Sequence, residues 1–106
     1  MTLITDPDYS RAFTKMRCVA WAHGYALMLH GTATRDLDVL AVPWVDAPAD
    51  YERLLANIRS VLQGEWQDSG QAPSKKPHGR LVWTLIASAL SDPRFIDFGV
   101  MAPRQE

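Results

Sequence analysis

Two segments of the chain carry apolar residues at helical spacing along one side only, and this feature constrains the fold most. In the first segment the apolar positions recur every three or four residues, at Tyr9, Phe13, Met16 and Ala20. In the second segment the apolar positions are Tyr51, Leu54, Leu55, Ile58, Val61 and Leu62. Because a one-sided helix must bury its apolar face, both segments need a shared partner surface.

Local signals place the ends of these two helices. Asp6-Pro7 supplies a capping oxygen followed by a pre-set backbone angle, and Gly24 can end a helix in the left-handed conformation. The first helix is therefore predicted over residues 7–23. We expect Pro48 to open the second helix and Gly64 to stop it.

Four apolar runs rich in strand-forming residues supply the partner surface: Tyr25–His30, residues 37–44, Arg80–Ala87 and Phe95–Met101. A turn at residues 91–94 predicts that the last two strands form a hairpin, and residues 64–79 are predicted to be a polar loop. The predicted fold is α+β, a small mixed four-stranded sheet with both helices packed on one face, which leaves the other face for function. Residues 102–106 are expected to fray.

Composition limits the function classes. The 106 residues are 47% hydrophobic and 22% charged, which is typical of one globular domain spanning residues 1–106. A net charge of −1 gives no general support for nucleic-acid binding, and a single cysteine excludes a site with several thiolates. We find neither a membrane-spanning run nor a signal-peptide pattern, so the expected location is the cytoplasm.

Three acidic residues are the main candidates for chemistry. Asp36 and Asp38 are two apart at the start of a strand, so both carboxylates point to the same face. Asp97 lies in an otherwise apolar strand, where an unpartnered carboxylate is costly. If that strand lies beside residues 37–44, the three acids form a site for Mg²⁺ or Mn²⁺, because hard cations prefer oxygen ligands.

The same acids also have plainer interpretations. Asp36 and Asp38 are residue types that favour turns and strand edges, and Arg35 is near enough to pair with either. Asp97 is alternatively a charge that protects a sheet edge, or the ion-pair partner of Arg80 or Arg94.

A basic segment just before the third predicted strand is the second candidate. Lys75, Lys76, His78 and Arg80 lie within six residues, and guanidinium and ammonium groups pair well with phosphate. Beside the acids, and helped by Arg35, this segment would bind a triphosphate or a nucleic-acid backbone. The alternative is a solvated connector.

The motif around the acids resembles the nucleotidyltransferase superfamily, whose pattern is Gly-Ser, then Asp-x-Asp on a strand, then a later strand acid. Gly31 and Thr32 match the turn that holds nucleotide phosphates in that family. Asp36, Asp38 and Asp97 match its catalytic and metal-binding acids. The resemblance covers residues 25–44 and 95–101. The chain also resembles short uncharacterised phage and prophage proteins through its RDLD, VPW and PHGR segments, which implies a host cytoplasm.

Two functional hypotheses follow from this resemblance. The first is a minimal Mg²⁺-dependent nucleotidyltransferase that binds a nucleoside triphosphate and transfers a nucleotidyl group. The second is a catalytically inactive module of the same fold that binds a host, toxin or defence protein. Only four residues separate Gly31 from Asp36, so the family's intervening helix is truncated or absent, which favours the second hypothesis. Retention of all three acids favours the first hypothesis. A homodimer through an exposed sheet edge is also left open.

Overall fold

The computed structural model describes residues 4–101, which form an α+β fold of two helices and one six-stranded mixed sheet. The helices are α1 (Pro7–Ala22) and α2 (Tyr51–Val61). The strands are β1 (Tyr25–His30), β2 (Leu37–Pro43), β3 (Trp66–Asp68), β4 (Ser74–Lys76), β5 (Arg80–Ala87) and β6 (Phe95–Met101). The predicted fraying of residues 102–106 lies outside the described residues.

Helix α1 begins and ends close to the predicted positions. The Asp6 carboxylate accepts hydrogen bonds from the backbone N–H groups of Asp8 and Tyr9, and Pro7 occupies the first turn. His23 is the C-cap, and Gly24 follows with a φ of +87°. A Cβ at Gly24 would lie 2.7 Å from a methyl of Val45, so this turn requires glycine for space as well as for backbone conformation.

Helix α2 begins three residues later than the first predicted position. The Asp50 carboxylate caps it by accepting a 2.8 Å hydrogen bond from the Arg53 N–H, so the helix starts at Tyr51 and Pro48 lies outside it. Gly64, with a φ of +92°, lies just beyond the end of the helix, as predicted.

The sheet order is β1-β2-β6-β5-β3, with β4 also paired to β5. The β2–β6 pair is parallel and the other pairs are antiparallel. The predicted adjacency of the strands that carry Asp38 and Asp97 is therefore confirmed, and so is the β5–β6 hairpin.

The prediction of four strands is wrong, because the segment expected to be a loop contributes β3 and β4. Trp66 is the physical reason for β3: its ring is buried, stacks on Tyr9 at 5.6 Å between centroids, and draws the chain against the end of β5. Arg59 of α2 pairs with Asp68 and holds the other end of the short strand. Both strands have three residues, which is too short to show a period in sequence.

Burial alternates along the strands and defines two faces. Leu37, Val39 and Ala41 are buried, whereas Asp38 and Leu40 between them are half-buried. The buried side chains of both helices belong to the same apolar cluster as the inward strand residues, so both helices cover one face, as predicted. The uncovered side is called the open face below. Within residues 4–101, no helix is both long and apolar enough to cross a bilayer.

Candidate functional site on the open face

The strand registers bring four polar residues into one line across the open face. Asp38 of β2 pairs with Asp97 of β6 in the parallel register. His30 of β1 lies opposite Asp38, and Thr84 of β5 lies opposite Asp97. Because directly paired residues point to the same side of a sheet, these four side chains form a continuous cross-strand row. We call His30, Asp38, Asp97 and Thr84 the acid row.

Neighbouring side chains in the row contact each other. The Thr84 hydroxyl donates a 2.9 Å hydrogen bond to Oδ1 of Asp97. Nδ1 of His30 lies 3.3 Å from Oδ2 of Asp38. Each central carboxylate thus has one flanking partner, while the two carboxylates face each other across the β2–β6 ladder.

The Asp97 carboxyl carries the clearest electrostatic signature of the site. Burial raises the pKa of Asp97 above its ordinary value, and the negative charges of Asp38 and Asp36 raise it further. The Thr84 hydroxyl bond and the positive charge of Lys76 act in the opposite direction. The Asp97 carboxyl therefore responds to the charges of both other acids, although Asp36 lies just before β2 and not on the strand.

Tyr9 holds the two acid-bearing strands at their starts. Its hydroxyl donates to the backbone carbonyls of Arg35 at 3.0 Å and Phe95 at 3.2 Å, and it accepts from the Phe95 N–H at 3.2 Å. Arg35 and Phe95 lie just before β2 and at the first position of β6. This buried phenol thus links the backbones that carry Asp36, Asp38 and Asp97, in addition to the β2–β6 ladder.

The turn between β1 and β2 is short and contains no helix. Gly31 has a φ of +83°, and Ala33 has a φ of +58° although it is not glycine and is buried. The Thr32 and Thr34 hydroxyls are 2.9 Å apart. Gly31 and Thr32 are exposed beside the His30 end of the acid row, and the Arg35 side chain is exposed as well.

The basic segment is divided between the two sides of the sheet. Lys76 pairs with Arg80 and Lys75 with Leu81, so Lys76 and Arg80 share the open face while Lys75 belongs to the opposite side. His78 lies in a single turn of 3₁₀ helix at Pro77–Gly79, exposed and with a φ of +66°. Of the four predicted basic residues, the register places Lys76 and Arg80 on the face that carries the acids.

Gly99 brings Arg80 closer to the acids. A Cβ at Gly99 would lie 3.3 Å from both Cδ1 of Leu40 and the Val39 carbonyl oxygen, and 3.7 Å from Cδ of Arg80. The Arg80 side chain therefore crosses the gap above Gly99. Gly99 is two residues beyond Asp97 on β6. The Cδ atom of Arg80 therefore lies over the cross-strand row that neighbours the acid row.

Arg94 is not the partner of Asp97. Its guanidinium instead pairs with Asp6 and Asp8 at 2.8 Å and with Asp92 at 2.6 Å. The hydrogen bonds from Arg94 hold the pKa of Asp92 at about 2. This cluster joins the start of α1 to the β5–β6 turn, so the interpretation of Asp97 as an Arg94 partner is wrong.

The oxygen donors of the acid row have the chemistry that Mg²⁺ and Mn²⁺ prefer. No group of three or more His, Cys, Asp or Glu side chains within residues 4–101 is arranged so that it could hold a metal ion. Asp38 and Asp97 are nevertheless a facing pair, and Mg²⁺ in proteins is often held by one or two carboxylates with phosphate oxygens completing its shell. Metal binding by Asp36, Asp38 and Asp97 stays a prediction.

Three residues of the site were missed at the sequence level: Tyr9, Thr84 and Gly99. Thr84 is a polar residue in an apolar strand, the same signal that identified Asp97, but its partner depends on the hairpin register. Tyr9 was assigned to the apolar face of α1, and its ring is indeed buried. Only its hydroxyl has the additional role, and the sequence gives no sign of it.

No family model matches the sequence, and no curated protein matches it either. Among solved structures, the chain is similar to one chain of the poly(A) polymerase complex GLD-2–GLD-3, with 16% identity and a TM-score of 0.43. The similarity covers 91% of this chain and 35% of that chain, so the protein spans about a third of the length of the chain it matches.

Proposed function

We propose that the open face binds a nucleoside triphosphate together with Mg²⁺ or Mn²⁺, as in a minimal nucleotidyltransferase-like protein. The observation that carries this proposal is the direct pairing of Asp38 with Asp97 on a face that also presents Arg80. Two facing carboxylates repel each other unless a cation lies between them, and the arginine supplies a complementary group for phosphate.

The residues divide into two roles in this proposal. Asp38 and Asp97 would hold the cation, with Asp36 close enough to influence the same site. Arg80 and Lys76 would contact the phosphates from one side, and the exposed Gly31-Thr32 turn from the other, with Arg35 and His78 as outer contacts. A bound divalent cation would neutralise phosphate charge and favour ionisation of an attacking hydroxyl, which is the chemistry that nucleotidyl transfer requires.

The cation site is tested by thermal unfolding with and without millimolar Mg²⁺ or Mn²⁺ and a triphosphate. A ligand that binds only the native state at about 100 times its Kd adds about 2.7 kcal/mol of apparent stability. We expect the melting temperature to rise with metal and to rise further with both ligands. Asp38→Asn should abolish the shift, whereas Asp46→Asn, in an exposed turn after β2, should retain it. The absence of any shift and of any binding heat in the wild type would refute the proposal.

The phosphate contacts have a matched control within the chain. Lys76→Ala combined with Arg80→Ala should weaken triphosphate binding most at low salt, where contacts between exposed charges are least screened. Lys75→Ala removes a neighbouring charge from the opposite side of the sheet and should have little effect. If Lys75→Ala weakens binding half as much as the double change, which removes twice the charge, only net charge matters and the open face is not the phosphate site.

A second candidate function, an inactive module that binds a protein, is favoured by one separate feature. Trp21 and Trp44 are about half exposed, and their rings stack with centroids 4.3 Å apart. Exposed tryptophans are characteristic of protein interfaces. Incubation with a triphosphate labelled at its α-phosphate tests for turnover: a labelled acceptor contradicts the inactive module, whereas absence of both transfer and triphosphate binding favours the module that binds a protein.

A further inference from the structure

Beside the acid row, toward the β5–β6 turn, the open face continues as a pocket with an apolar floor. Ile86 pairs with Phe95 across the hairpin and with Gln67 across the β3–β5 ladder, so these three residues form the next cross-strand row. The pocket has a volume of about 440 Å³, and Leu90 lies on its rim, fully exposed. This volume lies within the usual range for small-molecule sites.

The pocket and the acid row are continuous. Thr84, whose hydroxyl binds Asp97, also lines the pocket. Along β6, Phe95 is two residues from Asp97, which is about 7 Å in a strand. Asp92 and Arg94 also line the pocket and are paired with each other, whereas Arg80 lies on the other side of the acids, above Gly99. The open face therefore runs in order from an apolar pocket, through a pair of carboxylates, to an arginine.

We infer that the pocket over Ile86 and Phe95 holds the nucleobase of the triphosphate, while the phosphates run across the acid row toward Arg80. This inference rests on the proposed function and adds the orientation of the ligand. An aromatic base is flat and apolar on its faces, which matches the pocket floor. The Gln67 amide, at the edge of the same row, can both donate to and accept from the polar edge of a base.

The reverse orientation is unfavourable on the same evidence. It would place phosphate oxygens against Ile86 and Phe95, whose side chains offer no donor to replace lost water. Arg94 also lines the pocket, but its guanidinium is already paired with three carboxylates, those of Asp6, Asp8 and Asp92. The base would in turn lie beside the charged ends of Arg80 and Lys76. A larger cavity of about 530 Å³ lies beside Trp21 and Trp44, but no residue of the acid row lines it.

The test compares a nucleoside triphosphate with inorganic tripolyphosphate, each with Mg²⁺, by titration calorimetry. The wild type should bind the nucleotide about tenfold more tightly or better, as expected when a base stacks on an aromatic surface. Ile86→Ala should remove most of this preference for the nucleotide over tripolyphosphate and leave the affinity for tripolyphosphate unchanged. Val45→Ala is the control, because Val45 has the same 37% exposure but lies outside the pocket.

The possible results distinguish the base pocket from the proposed function on which it rests. Equal affinity of the wild type for the two ligands would overturn the base pocket and leave the proposed function standing. Binding of neither ligand would overturn both. If Ile86→Ala unfolds the protein, Leu90→Ala provides the same comparison on a fully exposed loop residue. If the folded variant, Ile86→Ala or Leu90→Ala, keeps the wild-type ratio of nucleotide affinity to tripolyphosphate affinity, the inference is also overturned.

Discussion

Replacing Tyr9 with phenylalanine tests whether one hydroxyl fixes the relative position of the two acid-bearing strands. The change keeps the buried ring and its stacking on Trp66, and it removes only the oxygen atom. That oxygen donates to the carbonyls of Arg35 and Phe95 and accepts from the Phe95 N–H. In the variant, the amide of a half-buried residue at the start of β6 loses its partner.

The magnitude follows from these contacts. A buried polar group left without a hydrogen bond costs about 1–3 kcal/mol, and the exposed Arg35 backbone is partly compensated by water. We therefore expect Tyr9→Phe to lower the free energy of unfolding by about 2 kcal/mol. For a domain of this size, that corresponds to a decrease in melting temperature of roughly 10 °C.

Urea and thermal unfolding followed by circular dichroism would measure the effect, with Tyr51→Phe as the matched control. The Tyr51 ring packs on Trp83 at 5.8 Å, and no hydrogen bond of its hydroxyl occurs within residues 4–101. The free energy of unfolding of the Tyr51→Phe control should stay within about 0.5 kcal/mol of the wild-type value. If the two substitutions cost the same, or if Tyr9→Phe is neutral, the hydroxyl does not hold the strands.

Two further predictions concern pH. The lowered pKa of Asp92, about 2, means that its ion pair with Arg94 stabilises the fold above the ordinary value of 3.8 and that this contribution is lost as pH falls toward 2. Arg94→Met should thus reduce stability at pH 7 and flatten its acid dependence in urea unfolding; an unchanged profile would contradict this. The pKa of Asp97 is raised and not lowered, so ionisation of this carboxyl destabilises the fold as pH rises. Asp97→Asn should stabilise the metal-free protein at pH 7 but not below pH 3.8, and a gain that persists in acid would point to another cause.

Local signals predicted the helices well because their causes are local. Asp6 caps α1 through backbone groups two and three residues away, so the start of the helix is visible in the sequence. The start of α2 was less well placed, because Pro48 and Asp50 are both plausible first residues and the chain uses the Asp50 cap. The strand β3 could not be predicted, since it depends on Trp66 meeting Tyr9, a contact between distant parts of the chain.

The open face shows which features of a site a sequence can specify and which features it cannot. Alternation by two puts Asp38 on that face, and the same rule applies to Asp97 and Thr84, whatever the pairing of the strands. A slip of one residue in a register would move a strand's side chains to the other face, and burial of the apolar set opposes it. A slip of two residues would keep every side chain on its face, so hydrophobic burial discriminates against it far less.

Yet a slip of two residues between β2 and β6 would separate Asp38 from Asp97 by about 7 Å along the strands. The two acids would then no longer be paired in one row. The row therefore needs a contact that fixes the parallel register itself. Tyr9 supplies one, because its hydroxyl binds the backbone two residues before β2 and at the first residue of β6. One contact that favours the register of the acids thus comes from a helix residue on the opposite side of the sheet, and no pattern within the two strands could have indicated it.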